Sequence, residues 1–219
     1  MFFYFFFVSC FFFNVTATTE IYTLSLHDAL PIFSVFMNSG LFETTILVLS
    51  KNSINLAHDK LSDYLDEGLI LTTGGTRRQD SVLRGLEKIQ KSPVVAIHDG
   101  ARPCITQSIL EQGLEKVEKT GAAIPVIPVT DTVKRLNDIG RVETTLHRKN
   151  YKFSQTPQFF DLALIRKAHR KIIKDVTDDA SMIEMIGGEV EVFDGDIENL
   201  KITTSSDLVI ARNILESRK

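Results

Sequence analysis

The sequence predicts an α/β fold, a mostly parallel sheet wrapped by helices with a protruding hairpin arm. Three observations carry this. Short apolar runs rich in β-branched residues alternate with amphipathic helical stretches in the order β, α, β, α, β from Thr44 to Ile97. The last of these runs, Val94-Val95-Ala96-Ile97, is too short for a helix and ends on His98-Asp99-Gly100-Ala101-Arg102-Pro103, a charged loop with Gly and Pro. From about 130 to 150 the pattern turns polar and β-prone around Asn137-Asp138-Ile139-Gly140, which reads as a hairpin without a core of its own.

Each element follows in order. Phe33 to Phe42 reads as a helix end and a turn, Thr44 to Leu49 as a buried strand, and Asn52 to Leu65 as one amphipathic helix. Leu69 to Thr72 is a strand running into Gly74-Gly75, and Asp80 or Ser81 is the expected cap of the next helix. After the Val94 strand, Thr106 is the expected cap of a helix over Gln107 to Lys119 closed near Gly121. Ala122 to Val129 is strand-like, and its two prolines predict an edge or irregular position. Leu162 to Ile173 reads as a helix, Thr177-Asp178-Asp179 as the start of another, and Val190 to Phe193 and Leu200 to Thr203 as short strands. Ser206 is the expected cap of a final helix with Leu208, Ala211, Ile214 and Leu215 inward.

The 219 residues suffice for one domain with a large core. A net charge of -3 with scattered Lys and Arg argues against a nucleic-acid coat. Cys10 and Cys104 make no disulfide framework and no C-x-x-C pair, so a reducing cytoplasm is expected. Met1 to Phe13 holds more than half of the 15 Phe yet is too short to span a bilayer, so no membrane partner is expected. Asn14-Val15-Thr16-Ala17 has the small residues of a cleavage site and a glycosylation sequon, but no basic n-region precedes it. Thr23 to Ile32, TLSLHDALPI, resembles a translated synthetic sequencing adapter. The expected organisation is therefore a non-native leader at 1–32 and a domain at 33–219 with its arm at about 130–150.

Four places set chemistry-bearing residues at strand ends, where α/β sheets bind ligands. Gly74-Gly75-Thr76-Arg77-Arg78-Gln79-Asp80-Ser81 is a Gly turn feeding a helix N-terminus, where free N-H groups suit a base or phosphate. In the second, the loop from His98 to Arg102, a carboxylate can hold a hard cation and a guanidinium can fork onto phosphate. Asp131-Thr132-Val133-Lys134-Arg135 is the third. Glu198-Asn199-Leu200-Lys201-Ile202-Thr203 is the fourth.

In this order, GGTRRQDSV, HDGARP, PVTDTVKR, QTPQFF, TDDAS and NLKITTSSDL resemble the 2-C-methyl-D-erythritol 4-phosphate cytidylyltransferases of non-mevalonate isoprenoid synthesis. The resemblance runs from about Phe33 to the last helix. It implies a Rossmann-like nucleotidyltransferase that moves CMP from CTP onto a sugar-alcohol phosphate, with pyrophosphate leaving and a divalent cation such as Mg2+ assisting. By that pattern Asp99 holds the metal and Lys201 meets the α-phosphate, these two being the catalytic pair. Gly75, Thr76 and Ser81 meet the cytosine or ribose, and Arg102, Thr156 and Thr177 face the sugar phosphate. Thr132 and Arg148 reach across the interface of a homodimer built through the arm.

The pattern also has a gap. Family members open with a strand and a Gly-rich A-A-G-x-G-x-R loop, then P-K-Q, and neither motif is present here. Losing one preorganised donor costs about 3 kcal/mol at a transition state, so low activity is expected. A missing central strand would further open the sheet. Two alternatives stand beside the leading one: a ribitol-5-phosphate cytidylyltransferase, which shares the TPQ and N-x-K-[IV]-T elements, and a non-catalytic nucleotide-binding or dimerisation module. A secreted or membrane-tethered domain is a weaker third.

Overall fold

The computed structural model describes residues 5–10, 26–65 and 67–218. Its strands are β1 (Phe5–Cys10), β2 (Thr44–Leu49), β3 (Leu69–Thr73), β4 (Val94–Asp99), β5 (Ala122–Pro128), β6 (Lys134–Leu136), β7 (Val142–Thr145), β8 (Lys152–Ser154), β9 (Gln158–Asp161) and β10 (Glu191–Asp194). The helices are α1 (Leu26–Asn38), α2 (Ile54–Lys60), α3 (Ser62–Leu65), α4 (Arg78–Glu87), α5 (Gln107–Thr120), α6 (Leu162–Lys171), α7 (Asp179–Met185) and α8 (Ser205–Ser217).

The main sheet runs β10-β5-β9-β4-β1-β2-β3, with β8 pairing to the far end of β5. All neighbours are parallel except where β9 and β8 run against theirs. Helices cover both faces, and this is why the strands read as continuous apolar runs. Along β2, Leu47 and Leu49 join a core with Phe33, Phe36 and Leu110, while Ile46 and Val48 join the opposite core with Val82, Leu86 and Ile165. A smaller third cluster, Cys104, Ile202 and Ala211, docks α8 behind the loop that follows β4. No described helix is long and apolar enough to cross a membrane.

The central place between β4 and β2 is taken by β1, in register from Phe5 opposite Val94 to Cys10 opposite Asp99. A central parallel strand asks mainly for β propensity, which a Phe-rich run has. The stretch that follows it, 11–25, lies outside the described residues.

Several element readings need correction. The stretch from Asn52 to Leu65 is two helices, broken at Leu61, whose backbone leaves helical values and whose side chain is buried. Strand β5 is interior. Pro125 sits between the β9 and β8 ladders, where its carbonyl accepts from the Gln155 N-H at 2.9 Å. Proline has no N-H to return a bond to Gln155, so this pair is held by one bond. Helix α4 starts at Arg78 because Asp80 reaches back to the Arg77 N-H at 3.1 Å, three residues earlier than an Asp80 cap allows. Thr204, rather than Ser206, caps α8, paired with Asp207 in a capping box. Leu200 to Thr203 is extended but pairs through a single bond, Ile202 N-H to the Ala101 carbonyl at 2.8 Å, too little for a strand.

Beneath the rim where β4 ends lies a buried polar scaffold. His98 is fully buried, and its Nε2-H donates to the Arg102 carbonyl at 3.0 Å. That fixes Nδ1 as acceptor for the Thr156 hydroxyl at 3.2 Å, and the same hydroxyl oxygen accepts the Asp99 N-H at 3.0 Å. Asn199 donates to the Thr156 carbonyl at 2.9 Å and offers its own carbonyl to Arg102 at 2.8 Å and to Gln155 at 3.2 Å. Three distant segments are thereby set against one another.

Burial pushes the His98 ring down to about 4 from its ordinary 6.5, so it is neutral at pH 7. The unfolded chain binds this proton more readily. The stabilisation is therefore complete above pH 6.5 and erodes as pH falls toward 4, by about 3 kcal/mol in all. Urea unfolding between pH 7.5 and 4.5 should show this loss, and a His98→Gln variant should lose the slope; a flat profile for the unaltered chain would contradict it. A second expectation concerns Gly113 in α5, where an added Cβ would lie 2.0 Å from Cε2 of the buried Phe159 ring. Overpacking costs about 1–3 kcal/mol or more, against about 1 kcal/mol of helix propensity gained. Gly113→Ala should lower the urea midpoint.

Candidate active site

The site is built where β3, β4 and the 199–202 segment end together. After β3 the chain turns through Gly74 and Gly75 into α4. A Cβ on Gly74 would lie 2.6 Å from the Ser81 hydroxyl, and one on Gly75 would lie 2.4 Å from Asp80 Cβ. Only glycine allows the turn to sit so close to the helix. The Ser81 hydroxyl accepts the Gly75 N-H at 2.9 Å and donates to the Arg77 carbonyl at 3.2 Å, and the Arg84 guanidinium holds the Gly74 carbonyl. Ser81 is thus inside the turn, while Thr76 is exposed.

Asp99 is the focus. Its Oδ2 meets Lys201 Nζ at 2.9 Å and its Oδ1 meets Arg78 Nε at 3.2 Å. Burial alone would raise its pKa, but the charges of Arg78 and Lys201 outweigh that and hold the carboxyl well below the usual range. Lys201 is 46% exposed at its side chain against 11% for Asp99, so the ammonium stands at the mouth of the cleft. Arg102 lies alongside. Burial draws its guanidinium below the ordinary range, opposed by Asp99, and its Nε is buried with no partner among the described residues.

The sequence-predicted residues fall into three groups. Asp99, Lys201 and Arg102 come together at one rim, Lys201 bonded to Asp99 and Arg102 bonded to the Asn199 carbonyl two residues before Lys201. Thr156 lies just beneath, its hydroxyl directed at Asp99 N and His98, and Thr177 is exposed two residues ahead of α7. His98, placed by sequence among the groups at the loop, is instead buried under it. Thr132 and Arg148 are on the exposed arm, whose side-chain bonds run within the arm; Arg148 donates to the Thr130 carbonyl. At the arm's root, Arg148, Lys149 and Lys152 line a concavity of about 440 Å³ with Thr130 and Tyr151.

Sequence reasoning missed Arg78 and Asp179. Asp179 is fully buried, 2.6 Å from Arg78 Nη1 and 3.8 Å from His169 Nε2. Its burial favours the neutral acid, yet the charge of Arg78 first, and then the nearby His169 ring, hold it below the usual range. A signal existed: a guanidinium in the first turn of a helix opposes the helix dipole and so calls for a carboxylate partner.

Among the described residues no group of three or more His, Cys, Asp or Glu is placed to hold a metal. One carboxylate with both oxygens on cations is a poor cage. It does fit a Mg2+ that arrives with phosphate oxygens and water, the usual manner of binding in nucleotide sites.

Comparison with known proteins agrees with this geometry. Residues 29–217 match the family of 2-C-methyl-D-erythritol 4-phosphate cytidylyltransferase. The enzyme of that name from Bacillus licheniformis is 39% identical over 189 residues, covering 84% of this chain and 81% of its own. That from Clostridium novyi is 38% identical over 189 residues, covering 84% and 82%. A crystal structure of 4-diphosphocytidyl-2C-methyl-D-erythritol synthase from Anaerococcus prevotii superposes with a TM-score of 0.85 at 26% identity, covering 97% of this chain and 96% of that one. These relatives lend nothing to the ribitol-phosphate alternative. The sheet order, the cleft around Asp99 and the matched sequence place this chain in the 2-C-methyl-D-erythritol 4-phosphate cytidylyltransferase family.

Proposed function

We propose that the cleft transfers CMP from CTP to 2-C-methyl-D-erythritol 4-phosphate, releasing pyrophosphate. The observation that carries this is the convergence of Asp99, Lys201 and Arg102 at one rim in a chain of this family. An acceptor phosphate oxygen attacks the α-phosphorus of CTP, a P-O bond forms, and the bond to the β-phosphate oxygen breaks as pyrophosphate leaves. Such reactions are catalysed by positioning and by neutralising charge. Lys201, the more exposed partner of Asp99, turns to the α-phosphate. Arg102, its Nε without a partner among the described residues, faces the acceptor phosphate. Gly75, Thr76 and Ser81 form the nucleotide side, Ser81 by shaping the turn. Asp99, released by Lys201, would hold a divalent cation, which when bound offsets phosphate charge.

Thr132 and Arg148 serve the acceptor of a second copy in a homodimer. Three features support this: the cations at the arm's root, the arm's internal bonding, and the exposure of Leu136, Ile139, Val142, Tyr151 and Phe153. The family match leaves residues 1–28 outside it, which supports reading most of 1–32 as a foreign leader. Residues 11–25 carry no Gly, Lys or Arg to wrap a triphosphate, so turnover by this chain is slow.

Pyrophosphate release should need CTP, Mg2+ and the polyol phosphate together. Lys201→Ala should lower the release rate at least a hundredfold, and an undiminished rate would remove the ammonium from the chemistry. Arg148→Ala should raise KM for the polyol phosphate about tenfold and leave KM for CTP in place; the opposite split would put the arm on the nucleotide.

A further inference from the structure

Resting on that reading, we propose that Arg78 and Asp179 form a positioning pair that sets the spacing between the nucleotide side of the cleft and the acceptor side. Arg78 stands where three segments meet. It opens α4 directly after the Gly75-Thr76 turn, its Nε reaches Asp99 at 3.2 Å, and its Nη1 reaches Asp179 at 2.6 Å. One rigid, planar group thus spans from the carboxylate at the rim to the residue two places after Thr177. Lysine, a single point charge, cannot serve both carboxylates in this way.

Other residues also hold the acceptor-side segment: Arg77 donates to the Ile173 carbonyl at 2.9 Å and pairs with Asp175 at 2.9 Å. Gln79, next to Arg78 and buried, donates to the Lys174 carbonyl at 3.2 Å and accepts the Val176 N-H at 3.3 Å. Gln158 donates to Asp178 at 2.8 Å and accepts the Ala180 N-H at 3.0 Å. These bonds fix the backbone on either side of Thr177. The charge pair adds what they do not supply, a link from that backbone to Asp99.

A plain staple between α4 and α7 would explain the Arg78–Asp179 contact but not the second arm of the guanidinium on Asp99. Buried ion pairs can often be replaced by apolar residues of similar volume without loss of stability. Substitution can therefore separate the two roles.

The test compares the full chain with the Arg78→Met/Asp179→Leu double variant and with Arg78→Lys. Methylerythritol phosphate is titrated calorimetrically in the presence of a CTP analogue with a methylene between the α- and β-phosphorus, and amide exchange is followed by mass spectrometry. In both variants acceptor binding should weaken at least tenfold, with analogue binding within threefold of the unaltered chain. Exchange should accelerate in 99–102 and 174–179 while β2 and β5 stay protected. Unchanged acceptor affinity, or unchanged exchange at 99–102, in a folded variant would overturn the proposal. If the unaltered chain binds no acceptor the proposed function falls, and the exchange pattern alone decides whether Arg78 couples the two segments.

Discussion

One carboxylate shared by two cations organises the cleft. Asp99 is bonded by Arg78, 21 residues before it, and by Lys201, 102 residues after it, so the site exists only once the sheet has assembled. The two cations are not equivalent. Arg78 is 21% exposed and also answers to a fully buried carboxylate, whereas Lys201 is 46% exposed at the mouth. The Lys201 ammonium is half-exposed and keeps its access to water, so exchanging Asp99 for a phosphate costs it little. Arg78 has no such freedom, because leaving would strand Asp179 as a buried charge. The same carboxylate therefore has one fixed and one releasable partner.

Most of the body was legible in the sequence because parallel strands covered on both faces must be apolar along their whole length. Thr44 to Leu49 and Val94 to Ile97 met that demand without ambiguity. Errors arose where tertiary pairing decides. Pro125 reads as an edge residue until the gap between two antiparallel partners is known, and Leu200 to Thr203 reads as a strand until no partner is found. At the site, Asp99, Arg102 and Lys201 stood out as charged residues at strand ends, and the order of motifs tied them together. Arg78 and Asp179 did not stand out: each lies in a helical first turn, and the one cue, a guanidinium set against the helix dipole, names no partner until the two are seen side by side.

The apolar N-terminal stretch separates two kinds of requirement. A central parallel strand needs a backbone that extends and side chains that tolerate burial, and many sequences satisfy that. Phe5–Cys10 takes that place in register with β2 and β4. A loop that wraps a triphosphate needs glycines at fixed places and cations beside them, and few sequences satisfy that. Architecture can accordingly be retained where chemistry is weakened.

A related division runs through the site itself. Under the rim the polar side chains are Gln155, Thr156, Asn199 and a neutral His98, all buried and bonded to one another or to backbone. At the rim they are charged. Neutral groups can be buried at low cost once their hydrogen bonds are made, whereas each buried charge demands a partner. A scaffold of neutral groups therefore fixes the loop without adding a field of its own. The potential in the cleft is left to Arg78, Arg102, Lys201 and Asp99, whose cations outnumber the carboxylate by three to one. Asp179 offsets one of them from below. The remaining positive balance faces the mouth, where an anionic substrate enters.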